Sequence, residues 1–232
     1  MQRTMLIAVA AVAAVGLGGY AFISGNQPAE TLIPAADRSA APAASGTATE
    51  TEAAPDISRV VEMTLGDPEA PVTIIEYSSF TCPHCANFNQ GVYRQLVENY
   101  VDTGQVQIIK REVYFDAYGL WAALVARCGG PERYHGVVEM LYQNQRDWAG
   151  TQDGAQAAEN LRRIGRRAGM SDDELNACLA DRDMATALME VYRTNAERDG
   201  IRSTPSFMIN GRLYSNMGYA EFETAIADAM GR

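Results

Sequence analysis

The stretch that decides the fold is Val72-Thr73-Ile74-Ile75-Glu76-Tyr77-Ser78-Ser79-Phe80-Thr81-Cys82-Pro83-His84-Cys85. Its first six residues are short, β-branched and aromatic, the composition of a buried central strand. The stretch closes on a Cys-x-x-Cys, and from Pro83 to about Val101 the apolar spacing turns helical. Pro83 suits the first turn of a helix, where a missing N–H costs nothing. Cys82 then stands at the helix start, where unpaired N–H groups and the helix dipole stabilise a thiolate. Cys85 falls one turn later, on the face of Phe88, Val92 and Leu96, and is shielded. This asymmetry makes Cys82 the candidate nucleophile and Cys85 the resolving thiol. His84 between them, if charged or donating, favours the same thiolate.

A Cys-x-x-Cys can also be half of a zinc site, which normally needs four ligands. The other cysteines, Cys128 and Cys178, are single residues on predicted helices. The only other histidine is His135, read as a structural residue, and no second ligand pair has metal spacing. No metal or cofactor is expected.

Outward from the motif, Val60–Leu65 reads as a first strand and Gly66-Asp67-Pro68 as a turn. Val106–Val113 reads as a further strand. The region from about 116 to 200 has helical spacing and start signals, among them the Ser171–Glu174 capping box, and Gly129-Gly130-Pro131 separates two helices. It predicts an insertion of four or five helices. Ser206–Asn210 and Arg212–Ser215 flank Asn210-Gly211, a hairpin signal, and a last helix spans about Ala220–Met230. The fold class is α/β, with helices packed on a sheet. Trp121 and Trp148 read as packing residues, and the arginine pairs at 162–163 and 166–167 as a solvated helix face.

At the N-terminus, Arg3 precedes an uncharged apolar run from Met5 to Ile23, close to the roughly 20 residues that span a bilayer. Residues 1–24 are read as a signal sequence or an N-terminal membrane anchor, and 25–55, rich in Ala, Pro and Thr, as a flexible linker. Residues 56–232 form the folded domain. Either reading of the leader exports the domain to an oxidising space where disulfides persist. The 232 residues carry a formal charge of −10, which argues against nucleic-acid binding.

Glu76 through Cys85, with Ser203-Thr204-Pro205-Ser206-Phe207 far downstream, resembles the DsbA family of bacterial thiol:disulfide oxidoreductases, over roughly Val60 to the C-terminus. The resemblance implies a thioredoxin fold with a helical insertion domain. It implies a cis Pro205 against the active-site sulfurs and a Thr204 that offers backbone groups to an extended substrate peptide. Glu76 matches the family's buried acid, held to shuttle protons to Cys85. The residues alone say only that an acid interrupts a buried strand, which is costly unless paired, and a structural salt bridge is the other reading. Cys128 and Cys178 resemble the second pair of α-proteobacterial-type members, which implies a structural disulfide. Such a bridge closes about 50 residues and is worth roughly 4 kcal/mol in the chain-entropy account.

The expected activity is disulfide donation to reduced, unfolded exported proteins in the periplasm, with attachment to the inner membrane if the leader is retained. The expected reoxidant is a quinone-linked membrane partner of the DsbB type. A periplasmic reductase or isomerase, and a non-catalytic thioredoxin-like peptide-binding module, are the competing readings.

Overall fold

The β-branched segments pair into one sheet. In the computed structural model, which describes residues 54–231, the strands are β1 (Met63–Leu65), β2 (Val72–Ser78), β3 (Val106–Glu112), β4 (Ser206–Ile209) and β5 (Arg212–Tyr214). Their order across the sheet is β1-β3-β2-β4-β5. β2 runs parallel to β3 and antiparallel to β4, so the strand that leads into the cysteine motif lies at the centre. The parallel pair needs a crossover, supplied by α1 (Pro83–Gln90) and α2 (Val92–Leu96). The leader at 1–24, and the 25–55 linker apart from its last two residues, lie outside the described residues. Among the described residues no helix is long and apolar enough to cross a membrane.

Two differences from the sequence reading have local causes. The helix expected over Pro83–Val101 is broken at Gly91, whose backbone (φ −118°, ψ −91°) is not helical. The first strand is shorter than expected: a single turn over Ile57–Arg59, started by Asp56 accepting from the Ser58 N–H, precedes it, and pairing with β3 begins only at Met63. The hairpin follows its Asn-Gly signal, with Asn210 and Gly211 both at positive φ (43° and 84°), as a tight turn between twisted strands requires.

The insertion holds six helices rather than four or five. They are α3 (Ala117–Cys128), α4 (Pro131–Gln143), α5 (Gln145–Ala149), α6 (Gly154–Arg167), α7 (Asp172–Ala180) and α8 (Arg182–Arg198). The excess comes from the five-residue α5, too short to show a period, and from Asp181, which accepts from the Met184 N–H and separates α7 from α8. The Ser171–Glu174 capping box forms at the start of α7. A last helix, α9 (Tyr219–Ala229), packs on the sheet.

The core has two parts. Val72, Ile74, Val106, Ile108, Phe207 and Ile209 of the sheet pack with Phe88, Leu96 and Phe222. A second cluster joins Phe80, Cys85 and Ala86 to Leu124, Val138, Leu141, Tyr142, Trp148 and Leu161 of the insertion. Cys85 therefore packs with the insertion, while Phe88 and Leu96 turn toward the sheet. Trp148 is fully buried and donates to the Leu141 carbonyl at 2.9 Å. Trp121 is half-buried, its ring 5.4 Å from that of Tyr118.

Candidate active site

Cys82 is the N-cap of α1, with extended backbone (φ −80°, ψ 120°), and Pro83 occupies the first turn. The loop that delivers it is tightly turned, since the Cys82 N–H donates to the Ser79 carbonyl at 3.1 Å. Cys82 is half-buried, Cys85 is fully buried, and the two sulfurs are unjoined. Hydrogen bonding from Cys85 lowers the Cys82 thiol pKa most, against the opposing effect of burial. The Thr204 contact and the N–H groups of Cys85 and His84 help, and the pKa falls to about 5 from an ordinary 9.0. Cys85 is pushed far the other way, first by the bond it gives to Cys82 and then by burial. One sulfur is thus poised as a thiolate and its neighbour is kept protonated. The exposed His84 contributes its backbone N–H.

The opposite wall is the turn into β4. The Thr204–Pro205 peptide is cis, Pro205 is buried, and the Cys82 thiol lies 3.6 Å from the Thr204 carbonyl. Two segments more than a hundred residues apart thus meet at one sulfur.

Glu76, on β2, is 1% exposed, and its register partner on β3 is Lys110, itself buried. The Lys110 ammonium donates to Glu76 Oε2 at 2.7 Å and sits 3.9 Å from the centre of the Tyr93 ring. Burial works against the Lys110 charge, but the Glu76 carboxylate, through its charge and its hydrogen bond, is foremost among the groups that hold the lysine above its ordinary pKa. Glu76 Oε1 has no hydrogen-bond partner among the described residues. The acid is therefore half committed to an ion pair and half free.

Several residues that steady the loop gave no sign in the sequence. Gln145, at the start of α5, donates to the carbonyls of Phe80 (2.7 Å) and Cys82 (2.9 Å). The Tyr142 hydroxyl reaches the Ser79 carbonyl at 3.4 Å. Thr81 donates to Asp116 at 2.8 Å, and the same carboxylate caps α3 through the Gly119 N–H. Asp116 could have been suspected as a helix-capping type; Gln145 belongs to no motif.

Cys128 and Cys178 are joined, with Cα atoms 5.8 Å apart and a sequence separation of 50. Cys128 is the last residue of α3, and Cys178 lies in the last turn of α7. His135 is tied to the fold, its Nε2 2.8 Å from the Thr64 carbonyl. Arg162 pairs with Asn176 and Glu159, and Arg166 with Glu159 and Asp172, on the outer face of α6.

A reactive cysteine at a helix start, a sheltered partner one turn on and a cis-proline facing them define a thioredoxin-fold thiol–disulfide oxidoreductase. A family profile described as "Thioredoxin" matches residues 58–228. A Rickettsia conorii protein carrying the provisional name protein-disulfide oxidoreductase is 31% identical over 212 residues, covering 87% of this chain and 75% of the relative. Disulfide bond formation protein D of Bacillus subtilis is 23% identical, covering 70% of this chain and 74% of that protein. The crystal structure of Wolbachia pipientis α-DsbA1 superposes with a TM-score of 0.68 at 27% identity, over 73% of this chain and 91% of the other. The chain belongs to the DsbA family of thioredoxin-like protein-disulfide oxidoreductases.

Proposed function

We propose that this enzyme is a dithiol oxidase that passes a Cys82–Cys85 disulfide to reduced, unfolded proteins after their export. The observation that carries the reading is the contrast between two sulfurs three residues apart: Cys82 depressed to about 5, Cys85 buried and raised. Stabilising the Cys82 thiolate stabilises the reduced form, which makes the disulfide form a stronger oxidant.

A substrate thiolate attacks Cys82 Sγ of the oxidised enzyme. The Cys82–Cys85 bond breaks, its electron pair stays on Cys85, and Cys85 takes up a proton. A second substrate thiolate then attacks the substrate sulfur of the mixed disulfide. The substrate leaves with its new disulfide, and Cys82 departs as a thiolate. Two electrons pass to the enzyme; of the two thiol protons, one ends on Cys85 and the other in solvent. The unpartnered Glu76 Oε1 is the group we assign to carry the Cys85 proton. Pro205 and the Thr204 backbone beside Cys82 are assigned to the substrate peptide, bound as an added extended segment. The Cys128–Cys178 bridge is assigned to stability.

The apolar run at 5–23 supports an exported, periplasmic domain, held to the inner membrane where the leader is retained. Reoxidation falls to a quinone-linked membrane protein of the DsbB type. Equilibration with glutathione buffers followed by alkylation of Cys82 tests the proposal. A potential more oxidising than about −180 mV is expected, and a value near the −270 mV or so of a reductant such as thioredoxin would overturn it.

A further inference from the structure

Among the described residues, the buried amide of Gln145 is the one side chain that holds two carbonyls of the reactive loop at once. Both of its partners are acceptors, so its nitrogen, not its oxygen, must face them. The bonds to Phe80 O and Cys82 O, at 2.7 and 2.9 Å, use both amide hydrogens. The Cys82 carbonyl also accepts the first bond of α1, from the Ala86 N–H at 3.2 Å. With two donors on that oxygen, the Cys82–Pro83 peptide plane is fixed. The extended ψ of 120° at Cys82 is fixed with it, and that angle directs the Sγ at the N–H groups of His84 and Cys85. Gln145 is in turn seated rigidly. It is 8% exposed and stands one helical turn from the fully buried Trp148, which is tied to Leu141.

We propose that Gln145 is a positioning residue of the disulfide exchange reaction: by clamping the Phe80 and Cys82 carbonyls it keeps the Cys82 sulfur aimed at the start of α1 and so sets the oxidising strength of the enzyme. Through this side chain the helical insertion acts on a sulfur it does not carry. A thiolate that drifts off the helix N–H groups loses charge-assisted hydrogen bonds. The reduced form then becomes less favoured and the enzyme a weaker oxidant.

The inference rests on Cys82 being the nucleophile, and its test separates the two ideas. In the full-length protein, Gln145→Met keeps the length of the side chain and removes both donors. Thiolate absorbance followed against pH is expected to show the Cys82 midpoint about one unit higher, a tenfold change. The glutathione equilibrium should move by the same tenfold, about 30 mV for a two-electron couple, toward a weaker oxidant. Trp148 fluorescence should stay near wild type, and the oxidised form should remain folded with a lowered melting temperature, because a buried carbonyl left without its donor is costly. Gln143→Met, two residues away with its amide on Glu139, should leave the midpoint in place. If the methionine variant does not fold, Gln145→Asn carries the same test. Its amide, one methylene shorter, withdraws both donors from the carbonyls without adding a charge, and the midpoint is again expected to rise. A wild-type midpoint near 5 that the Gln145 variants leave unchanged, or that Gln143→Met moves equally, overturns the positioning role alone. A wild-type midpoint near 9 sinks the nucleophile assignment beneath it.

Discussion

Cys82 stands before the first turn of α1, whereas Cys128 closes the last turn of α3 and Cys178 lies in the last turn of α7. The same side chain is thus set at opposite poles of its helix in the two pairs. A thiolate at a helix start meets unpaired N–H groups and a positive pole; one released at a helix end meets carbonyl oxygens and a negative pole. Because exchange runs through a leaving thiolate, the first setting speeds it and the second resists it. On the assignment proposed above, one pair opens in exchange and the other stays shut, and α3 joins the two regions. Its N-cap Asp116 is bonded to Thr81 beside Cys82, and its far end, about 18 Å away for twelve residues, is Cys128.

The largest effect should come from the reactive pair itself. Cys82→Ser is expected to reduce disulfide transfer to background in a reduced-peptide oxidation assay. Cys85→Ser should accumulate mixed disulfides on Cys82, visible on non-reducing gels. If Cys128→Ala with Cys178→Ala did the same, the division of labour between the pairs would be gone.

Beneath the reactive pair, Glu76→Gln leaves the buried Lys110 charge without its counter-ion. Removing one partner of a buried ion pair costs about 3–5 kcal/mol, while replacing both by apolar side chains is near neutral. Urea denaturation should therefore show Glu76→Gln strongly destabilised and Glu76→Leu with Lys110→Met close to wild type. Proton delivery by Glu76 then predicts slow exchange in the stable double variant. Exchange at the wild-type rate in that protein would reduce Glu76 to an ion-pair partner.

Removal of the second bridge should cost stability and little else. For a closed segment of this length the loss is roughly 2–4 kcal/mol, read by urea denaturation, with the Cys82 titration unmoved. Stepwise reduction of the oxidised protein should open Cys82–Cys85 first.

The pH dependence sharpens the contrast further. The folded Cys82 pKa is depressed, so its contribution to the stability of the reduced form is complete above the ordinary value of 9.0. It is lost as the pH falls through about 5. The reduced form should melt above the oxidised form at neutral pH, and the gap should close across that window. Cys128 and Cys178, joined in both forms, contribute nothing to it.

The smallest effect is at the link between the regions. Asp116→Ala removes the α3 cap and the Thr81 contact, for about 1 kcal/mol. A change in thermal midpoint with both cysteine pairs intact is the expected result.

The sequence made the reactive region far more legible than the helical one. Strand composition, Pro83 after Cys82 and the Asn-Gly hairpin are local signals, so β2, the start of α1 and the β4–β5 turn could be read residue by residue. Their partners are not local. Lys110 meets Glu76 only through strand register, Thr204 reaches Cys82 only after the chain has passed through α1 to α8, and Gln145 is one of five consecutive polar residues, 143–147, with nothing in the pattern to single it out. Periodicity placed Cys85 correctly on a buried face of its helix, but it could not foresee that Cys85 and Phe88, both within α1, face different cores, nor the break at Gly91. Five-residue helices such as α5 are shorter than the window in which any period can show.

The division of the core bears on how this architecture can change. Because Cys85 is sealed by Tyr142, Leu141 and their neighbours and not by the sheet, the enzyme has no half that works by itself. Stripping away the helices between β3 and β4 would leave a sheet able to pair its strands but with its inner sulfur open to water. Grafting or trimming must therefore keep α4 and α5 with the cysteines they enclose, and must also spare α6 and α7, whose Leu161 and Leu175 are buried in the same core and whose Cys178 carries the second bridge.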